Sequence, residues 1–158
     1  MEITEASKSH LTTRVKIGGI LSNKKGVNIP HMLLPISAFT EKDHEDLAFV
    51  TTQDIDWVAL SFVQTPDDIK GLRRLLKKPF KIMAKIEKPQ ALKALDEIIA
   101  LSDGIMVTRG DLGVECPPEN VPVLQRKIIQ SCRRQGKPVV VATQMLESMV
   151  NSLGPISP

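Results

Sequence analysis

Residues 80–87 read FKIMAKIE, a short and mainly apolar run that predicts a β-strand. Pro89 follows closely and predicts the start of a helix, because proline is favoured at the first helical position. Four apolar residues then recur at helical spacing and predict the buried face of that helix: Leu92, Leu95, Ile98 and Ile99. The segment is therefore predicted to be one strand followed by one amphipathic helix.

Three further units of the same kind surround this one. Their strands are predicted at residues 57–62, 104–108 and 138–143, each followed by a helical pattern. Repeated βα units favour a parallel sheet, and strands that are apolar on both faces imply that helices cover the sheet. A barrel and a doubly wound sheet both fit this pattern.

Capping residues predict where the helices begin and end. Thr65 and Pro66, with Asp68 three residues after the threonine, predict a helix after the first strand. Its buried stripe is predicted to be Leu72, Leu75 and Leu76. After the third strand, a polar loop is predicted at 109–113, followed by a helix that ends near Gly136.

The N-terminal part of the chain carries a different pattern. Two short strands are predicted at 13–19 and 27–29, around a polar turn at 23–26. A capping box at 40–43 then predicts a helix through Phe49. This change of pattern predicts a separate architecture at the start of the chain.

Three regions are therefore predicted. Residues 1–30 belong to one domain and residues 31–150 to the βα domain. Residues 151–158 are expected to be a divergent or truncated tail, because the helix predicted from Gln144 is not completed.

The composition limits the classes of function. The 158 residues are 42% apolar, enough for a core, and the net charge of +3 comes from interspersed acids and bases. With one tryptophan, four phenylalanines and no tyrosine, a stacking surface for nucleic acid is not expected. Without a long apolar run or signal peptide, we expect a cytoplasmic protein that does not contact membranes. Cys116 and Cys132 fit reduced thiols.

Charged side chains collect where the predicted strands end. The period of a strand puts Lys85 and Glu87 on one side, at the C-terminal end where active sites of parallel α/β folds lie. Asp111 follows the end of the next strand, and two carboxylates at that edge suit octahedral Mg²⁺. The alternative is structural: Lys85 and Glu87 form an ion pair, and Asp111 caps a turn.

The same edge holds groups suited to an anion. Gly110 and Gly113 flank Asp111, and a glycine-rich loop before a helix can present backbone N–H groups to an anionic ligand. Thr143 adds a hydroxyl at the end of the fourth strand. The alternatives are an ordinary turn for the glycines and a helix N-cap for the threonine.

Several longer motifs combine these residues. The main ones are MAKIE at 83–87, SDGIMVTRGDLGVE at 102–115 and GKPVVVATQMLESM at 136–149. Upstream stand KGVNIP at 25–30, TEKD at 40–43 and ALSFV at 59–63. In the order, spacing and residue identities of these motifs, the chain resembles the pyruvate kinase family over residues 13–150. It departs from the usual pattern at Lys88, Thr108 and beyond residue 150.

This resemblance implies a phosphotransferase that converts phosphoenolpyruvate and ADP to pyruvate and ATP, with Mg²⁺ and K⁺ as cofactors. It implies that Lys85 stabilises the phosphoryl group in transit and that Glu87 and Asp111 bind Mg²⁺. The backbone of Gly110 and Asp111 would hold the substrate carboxylate. Thr143 would lie beside the enolate carbon that gains a proton.

The resemblance also implies a partial (β/α)8 TIM barrel. Residues 1–30 would be the tail of a small β-barrel domain inserted after the third barrel strand, and the following residues would supply strands four to seven. The K⁺ ligands, a phosphoryl-binding arginine and the main assembly regions of a homotetrameric family are then expected outside this chain. The motifs by themselves do not predict that this chain is active alone.

Two other functions remain open from the sequence. The chain could be a non-catalytic fragment that retains its motifs by descent. It could also be a Mg²⁺-dependent carbon–carbon lyase that acts on pyruvate-type enolates in a related barrel. Such lyases lack the ATQMLESM run at 142–149 and the lysine two residues before Glu87.

Overall fold

The computed structural model of the chain describes residues 1–20, 22–23 and 39–143. Its strands are β1 (Glu2–Ala6), β2 (Leu11–Arg14), β3 (Trp57–Leu60), β4 (Lys81–Ile86), β5 (Gly104–Thr108) and β6 (Val139–Ala142). Its α-helices are α1 (Glu41–Val50), α2 (Pro66–Leu75), α3 (Leu95–Leu101), α4 (Arg109–Glu115) and α5 (Val121–Arg134). Short 3-10 helices span Pro89–Ala94 and Pro118–Asn120.

Four strands form a parallel sheet in chain order, β3-β4-β5-β6. The crossover helices pack side by side, because α2 contacts α3, α3 contacts α5, and α4 contacts α5. They therefore form one layer on one face of the sheet, whereas a doubly wound sheet has helices on both faces. The α/β arrangement of the described residues, a parallel sheet with one layer of helices, is consistent with a partial barrel.

Burial alternates along β4 and identifies the covered face. Ile82, Ala84 and Ile86 are fully buried, while Met83 and Lys85 between them are partly exposed. The core extends from the strands into the helices through Ile69, Leu72, Ile98, Ile99, Ile105, Val107 and Ile128. The expectation that helices cover the sheet is met on one face only, within the part of the chain that the structure describes.

The predicted helix starts are confirmed at both capping boxes. Thr40 Oγ1 accepts a hydrogen bond from the Asp43 N–H at 3.2 Å, and Asp43 Oδ2 accepts one from the Thr40 N–H at 2.7 Å. Asp68 Oδ2 likewise accepts from the Thr65 N–H at 2.8 Å. Helix α1 therefore begins where the sequence predicts and ends at Val50, one residue beyond the expected Phe49.

The predicted buried stripe of α2 is correct at two of three positions. Leu72 is buried and Leu76, just after the helix, is partly buried, but Leu75 is 37% exposed. Ile69 takes the third buried position instead. Residues 69, 72 and 76 are spaced by three and four, which places them on one helical face.

The predicted polar loop at 109–113 is wrong, because these residues form the beginning of α4. Glycines and charges at these positions disfavour a helix locally. Leu112 and Glu115 are nevertheless buried, and Leu112 belongs to the core. Tertiary packing of the helix on its neighbours therefore overrides the local preference.

The N-terminal strand predicted at 13–19 is displaced. Strands β1 and β2 pair as an antiparallel hairpin. The strand predicted at 13–19 shares only residues 13 and 14 with β2. The hairpin forms earlier because Ser7 Oγ donates to the His10 carbonyl at 3.0 Å and accepts from the His10 N–H at 3.1 Å, which closes a tight turn. All residues of both strands are exposed.

Several predictions lie outside the described residues. These are the strand at 27–29, the domain boundary near residue 30, the helix from Gln144 and the tail at 151–158. Among the helices that the structure describes, none is long and apolar enough to cross a membrane. Cys116 and Cys132 are both free thiols, and burial raises the pKa of Cys132 to about 11.

Asp103 links β4 to α2 at the N-terminal edge of the sheet. Its Oδ2 accepts hydrogen bonds from the Ile82 N–H and from Arg73, both at 2.8 Å. The Arg73 guanidinium also donates to the Leu101 carbonyl at 3.1 Å. Burial by itself would raise the pKa of Asp103, but these hydrogen bonds outweigh it and hold the pKa below its ordinary value.

We expect Asp103→Asn to lower the free energy of unfolding by about 1 kcal/mol near pH 7. The folded pKa lies below the unfolded value of about 4, so the carboxylate stabilises the fold above that pH. This contribution is lost as the pH falls through the folded pKa, so the difference in unfolding free energy between Asp103→Asn and the unmodified chain should narrow. Urea unfolding at several pH values measures this difference. The exposed Asp54→Asn variant is the control, and an equal effect there would contradict the prediction.

Candidate active site

Lys85 and Glu87 come together at the C-terminal end of β4, as the sequence predicts. Lys85 Nζ lies 2.7 Å from Glu87 Oε1, and the side chains are 23% and 1% exposed. Lys85 Nζ also donates a hydrogen bond to Ser61 Oγ at 2.9 Å. A buried carboxylate needs such partners, because an isolated charge in a low-dielectric interior is strongly unfavourable.

The second oxygen of Glu87 is held by the backbone after β3. The Phe62 N–H donates to Glu87 Oε2 at 2.8 Å. Phe62 adopts a φ of 54°, a left-handed conformation that is uncommon for a bulky residue. This bend turns the N–H toward the carboxylate. The roles of Ser61 and Phe62 do not follow from the sequence pattern, although both lie within the ALSFV motif.

Gly110 and Thr143 also meet at this edge. The Gly110 N–H donates to Thr143 Oγ1 at 3.0 Å, and Thr143 has a φ of 66°, which is rare for a β-branched residue. A Cβ added to Gly110 would lie 3.2 Å from Thr143 Oγ1. The close approach of the two residues therefore requires glycine at position 110 or a shift of the threonine.

Strand register places the third predicted group near the first two. Ile86 pairs with Val107, so Glu87 follows β4 beside the end of β5. Asp111 comes directly afterwards, in the first turn of α4, and is exposed. Within the part of the chain that the structure describes, Asp111 makes no hydrogen bond or ion pair. Gly113 lies further along the same helix.

The sequence analysis missed an ion pair beside these residues. Lys88 Nζ contacts Glu115 Oε1, and the side chains are only 14% and 5% exposed. Lys88 Nζ also lies 5.9 Å from the centre of the Phe62 ring. A departure from the family pattern at Lys88, directly after Glu87, was the only signal in the sequence.

The donor groups fit Mg²⁺ in kind. Glu87 Oε1 is buried and accepts no hydrogen bond from any described residue, although it is in ion-pair contact with Lys85. Asp111 offers a second carboxylate at the same edge, and Mg²⁺ is bound by one or two carboxylates with water and substrate oxygens. Among the described residues, no group of three or more His, Cys, Asp or Glu side chains surrounds a common point.

Fold and site together define an α/β protein of the barrel type, with a lysine, two carboxylates and a hydroxyl at the C-terminal edge of its parallel sheet. The family model described as "Pyruvate kinase, barrel domain" matches residues 1–156. The chain belongs to the pyruvate kinase family. This identifies the class that the sequence motifs predict.

Individual relatives support the same assignment. The chain is 56% identical over 150 residues to a pyruvate kinase of Methylorubrum extorquens, covering 95% of this chain and 31% of that protein. It is 52% identical over 155 residues to a pyruvate kinase of Agrobacterium vitis, covering 98% and 32%. Pyruvate kinase 2 of Synechocystis is 53% identical over 148 residues, covering 92% and 25%. The chain thus spans about a third of the length of these relatives or less.

We expect Thr143→Val to expose the Gly110 N–H and to lower the free energy of unfolding by about 0.5–1 kcal/mol, the usual net value of one hydrogen bond. Valine keeps the branched shape, so the change isolates the hydroxyl. Amide hydrogen exchange at Gly110 should speed up, while Thr143→Ser should keep it slow. Equal exchange rates in all three proteins would contradict the role of this hydrogen bond.

Proposed function

We propose that this chain carries part of the active site of a phosphotransferase that converts phosphoenolpyruvate and ADP to pyruvate and ATP. The observation that carries the proposal is the pair of partly exposed Lys85 and buried Glu87 at the end of β4, in a chain of the pyruvate kinase family. A lysine beside a buried carboxylate suits the transfer of a phosphoryl group, which needs positive charge placed in advance.

Each residue has a proposed role. Lys85 contributes an ammonium that attracts the phosphoryl oxygens, and its hydrogen bond to Ser61 at 2.9 Å orients it. Glu87 and Asp111 hold Mg²⁺, which when bound neutralises charge on phosphoryl and enolate oxygens. The Phe62 N–H, which donates to Glu87 Oε2, holds the carboxylate in place while it serves as a ligand.

The substrate carboxylate is proposed to lie against the backbone N–H groups of Gly110 and Asp111. In the structure the Gly110 N–H donates to Thr143 Oγ1, so a bound carboxylate would replace that hydroxyl as acceptor. The released Thr143 hydroxyl would then be free to orient toward the carbon that gains a proton. K⁺ is expected for this activity, with ligands that we do not assign to this chain.

The family relation also supports proposals on the rest of the chain. Residues 1–30 are proposed to belong to the inserted β domain, which agrees with an exposed hairpin distinct from the parallel sheet. A homotetramer in the cytoplasm is proposed for the whole protein. Within the described residues, helices leave one face of the sheet uncovered. This uncovered face favours a second possibility, that the chain by itself binds ligands without turnover.

A coupled assay for pyruvate tests the proposal on the full chain, with Mg²⁺ and K⁺ present. Both Lys85→Met and Glu87→Gln should lower the rate at least about 100-fold, because each removes charge that stabilises the transition state. Lys85→Met should not weaken Mg²⁺ binding, because it removes a cation rather than a ligand, whereas Glu87→Gln should abolish binding. Lys81→Met, an exposed lysine at the other end of β4, is the matched control.

Three results would contradict parts of this proposal. Normal turnover in Lys85→Met would exclude the role given to that lysine. Unchanged Mg²⁺ affinity in Glu87→Gln would exclude Glu87 as a ligand. A folded chain that binds Mg²⁺ but forms no pyruvate would favour binding without turnover for the chain alone.

A further inference from the structure

The buried ion pair between Lys88 and Glu115 has no role in the proposed chemistry. Both side chains are nearly inaccessible, at 14% and 5% exposed. Moving two charges out of water costs several kcal/mol per ion before their attraction offsets the loss. An apolar pair of similar size would fill the same space without that penalty, so the pair calls for another explanation.

The pair joins two elements that carry the proposed cation ligands. Lys88 follows Glu87 directly at the end of β4, and Glu115 is the last residue of α4. Asp111 lies four residues before Glu115, and side chains four apart share one face of a helix. The face of α4 that Glu115 turns toward Lys88 is therefore the face that also carries Asp111. Holding Glu115 restricts rotation of α4 about its axis and thus the direction of Asp111.

Lys88 also contacts the segment that holds the other ligand. Its ammonium lies 5.9 Å from the centre of the Phe62 ring, and the Phe62 N–H donates to Glu87 Oε2 at 2.8 Å. One lysine thus contacts the bend after β3 and the last turn of α4. These are the two segments that orient Glu87 and Asp111.

We propose that Lys88 and Glu115 are positioning residues that set the separation of Glu87 and Asp111 for a divalent cation. The proposal rests on the proposed function, in which those two carboxylates hold the cation. Lys88 and Glu115 act only through α4 and the end of β4. They do not contact the cation themselves.

Electrostatics alone makes the opposite prediction for a lysine variant. The Lys88 ammonium repels a nearby cation, so its removal should tighten cation binding if only the field matters. Loss of positioning should weaken binding instead. The double variant Lys88→Met with Glu115→Gln removes one charge of each sign, which leaves the net charge unchanged and leaves no buried charge of the pair unpaired.

The test uses the full chain and Mn²⁺ as the probe. Isothermal titration calorimetry should show a Kd for Mn²⁺ about tenfold higher in Lys88→Met and in the double variant, a change of about 1.4 kcal/mol. Lys88→Arg keeps the charge and should bind as the unmodified chain does. Lys42→Met removes a lysine from the exposed pair with Asp46 and should also change nothing.

A second measurement needs no metal. Amide hydrogen exchange in α4 should speed up several-fold in the metal-free double variant, because the helix is no longer tethered at its last turn. Circular dichroism establishes that this variant is folded. It remains the informative protein if Lys88→Met unfolds by leaving Glu115 buried and unpaired.

The outcomes separate this proposal from the proposed function. Weaker Mn²⁺ binding together with faster α4 exchange in the double variant supports it. Normal binding by the unmodified chain with the same Kd in the double variant overturns the positioning role and leaves the proposed function intact. Tighter binding in Lys88→Met would overturn it in favour of a field effect. No Mn²⁺ binding by the folded, unmodified chain would overturn the proposed function and this proposal with it.

Discussion

The Glu87 carboxylate is 1% exposed at the end of β4, and the arrangement around it follows from the need to stabilise that charge. One oxygen contacts the Lys85 ammonium, and the other accepts the Phe62 N–H. These contacts require the end of β3 to bend, which Phe62 achieves with a left-handed φ of 54°. A strained backbone and a partly exposed lysine are therefore both linked to one carboxylate.

The parallel sheet supplies the rigidity that this arrangement needs. Each strand of β3 to β6 pairs with its neighbour in chain order, so the strand ends meet at one edge. One layer of helices covers one face of the sheet, and the core lies between them. The residues of β4 and β5 on that face are fully buried. Loops and helix starts that follow the strands are thereby placed within reach of one another. The charge cluster depends on this edge, while stability depends on the covered face.

The sequence analysis was accurate where local and tertiary preferences agree. The bounds of β5 and the start of α2 at Pro66 follow from apolar runs and capping residues, because both are local signals. It was wrong at 109–113, where glycines and charges suggest a loop but packing of Leu112 makes a helix. It was also wrong for the strand at 13–19, because the observed strand lies earlier, in a hairpin whose turn depends on one serine side chain. Lys88 and Glu115 were missed because they are 27 residues apart and no local pattern links them.

The sequence by itself determined the repeated βα units, the family and the candidate residues, because spacing and motif are properties of the chain in one dimension. Only the tertiary structure showed that the helices of the described βα units form one layer on one face of the sheet, since sequence periodicity does not determine which face a helix covers. The structure alone also showed that Glu87 is held by Phe62, that Gly110 donates to Thr143, and that Lys88 pairs with Glu115. Each of these contacts joins segments distant in the chain, and folding brings them together only because burial of one sheet face aligns the strand ends.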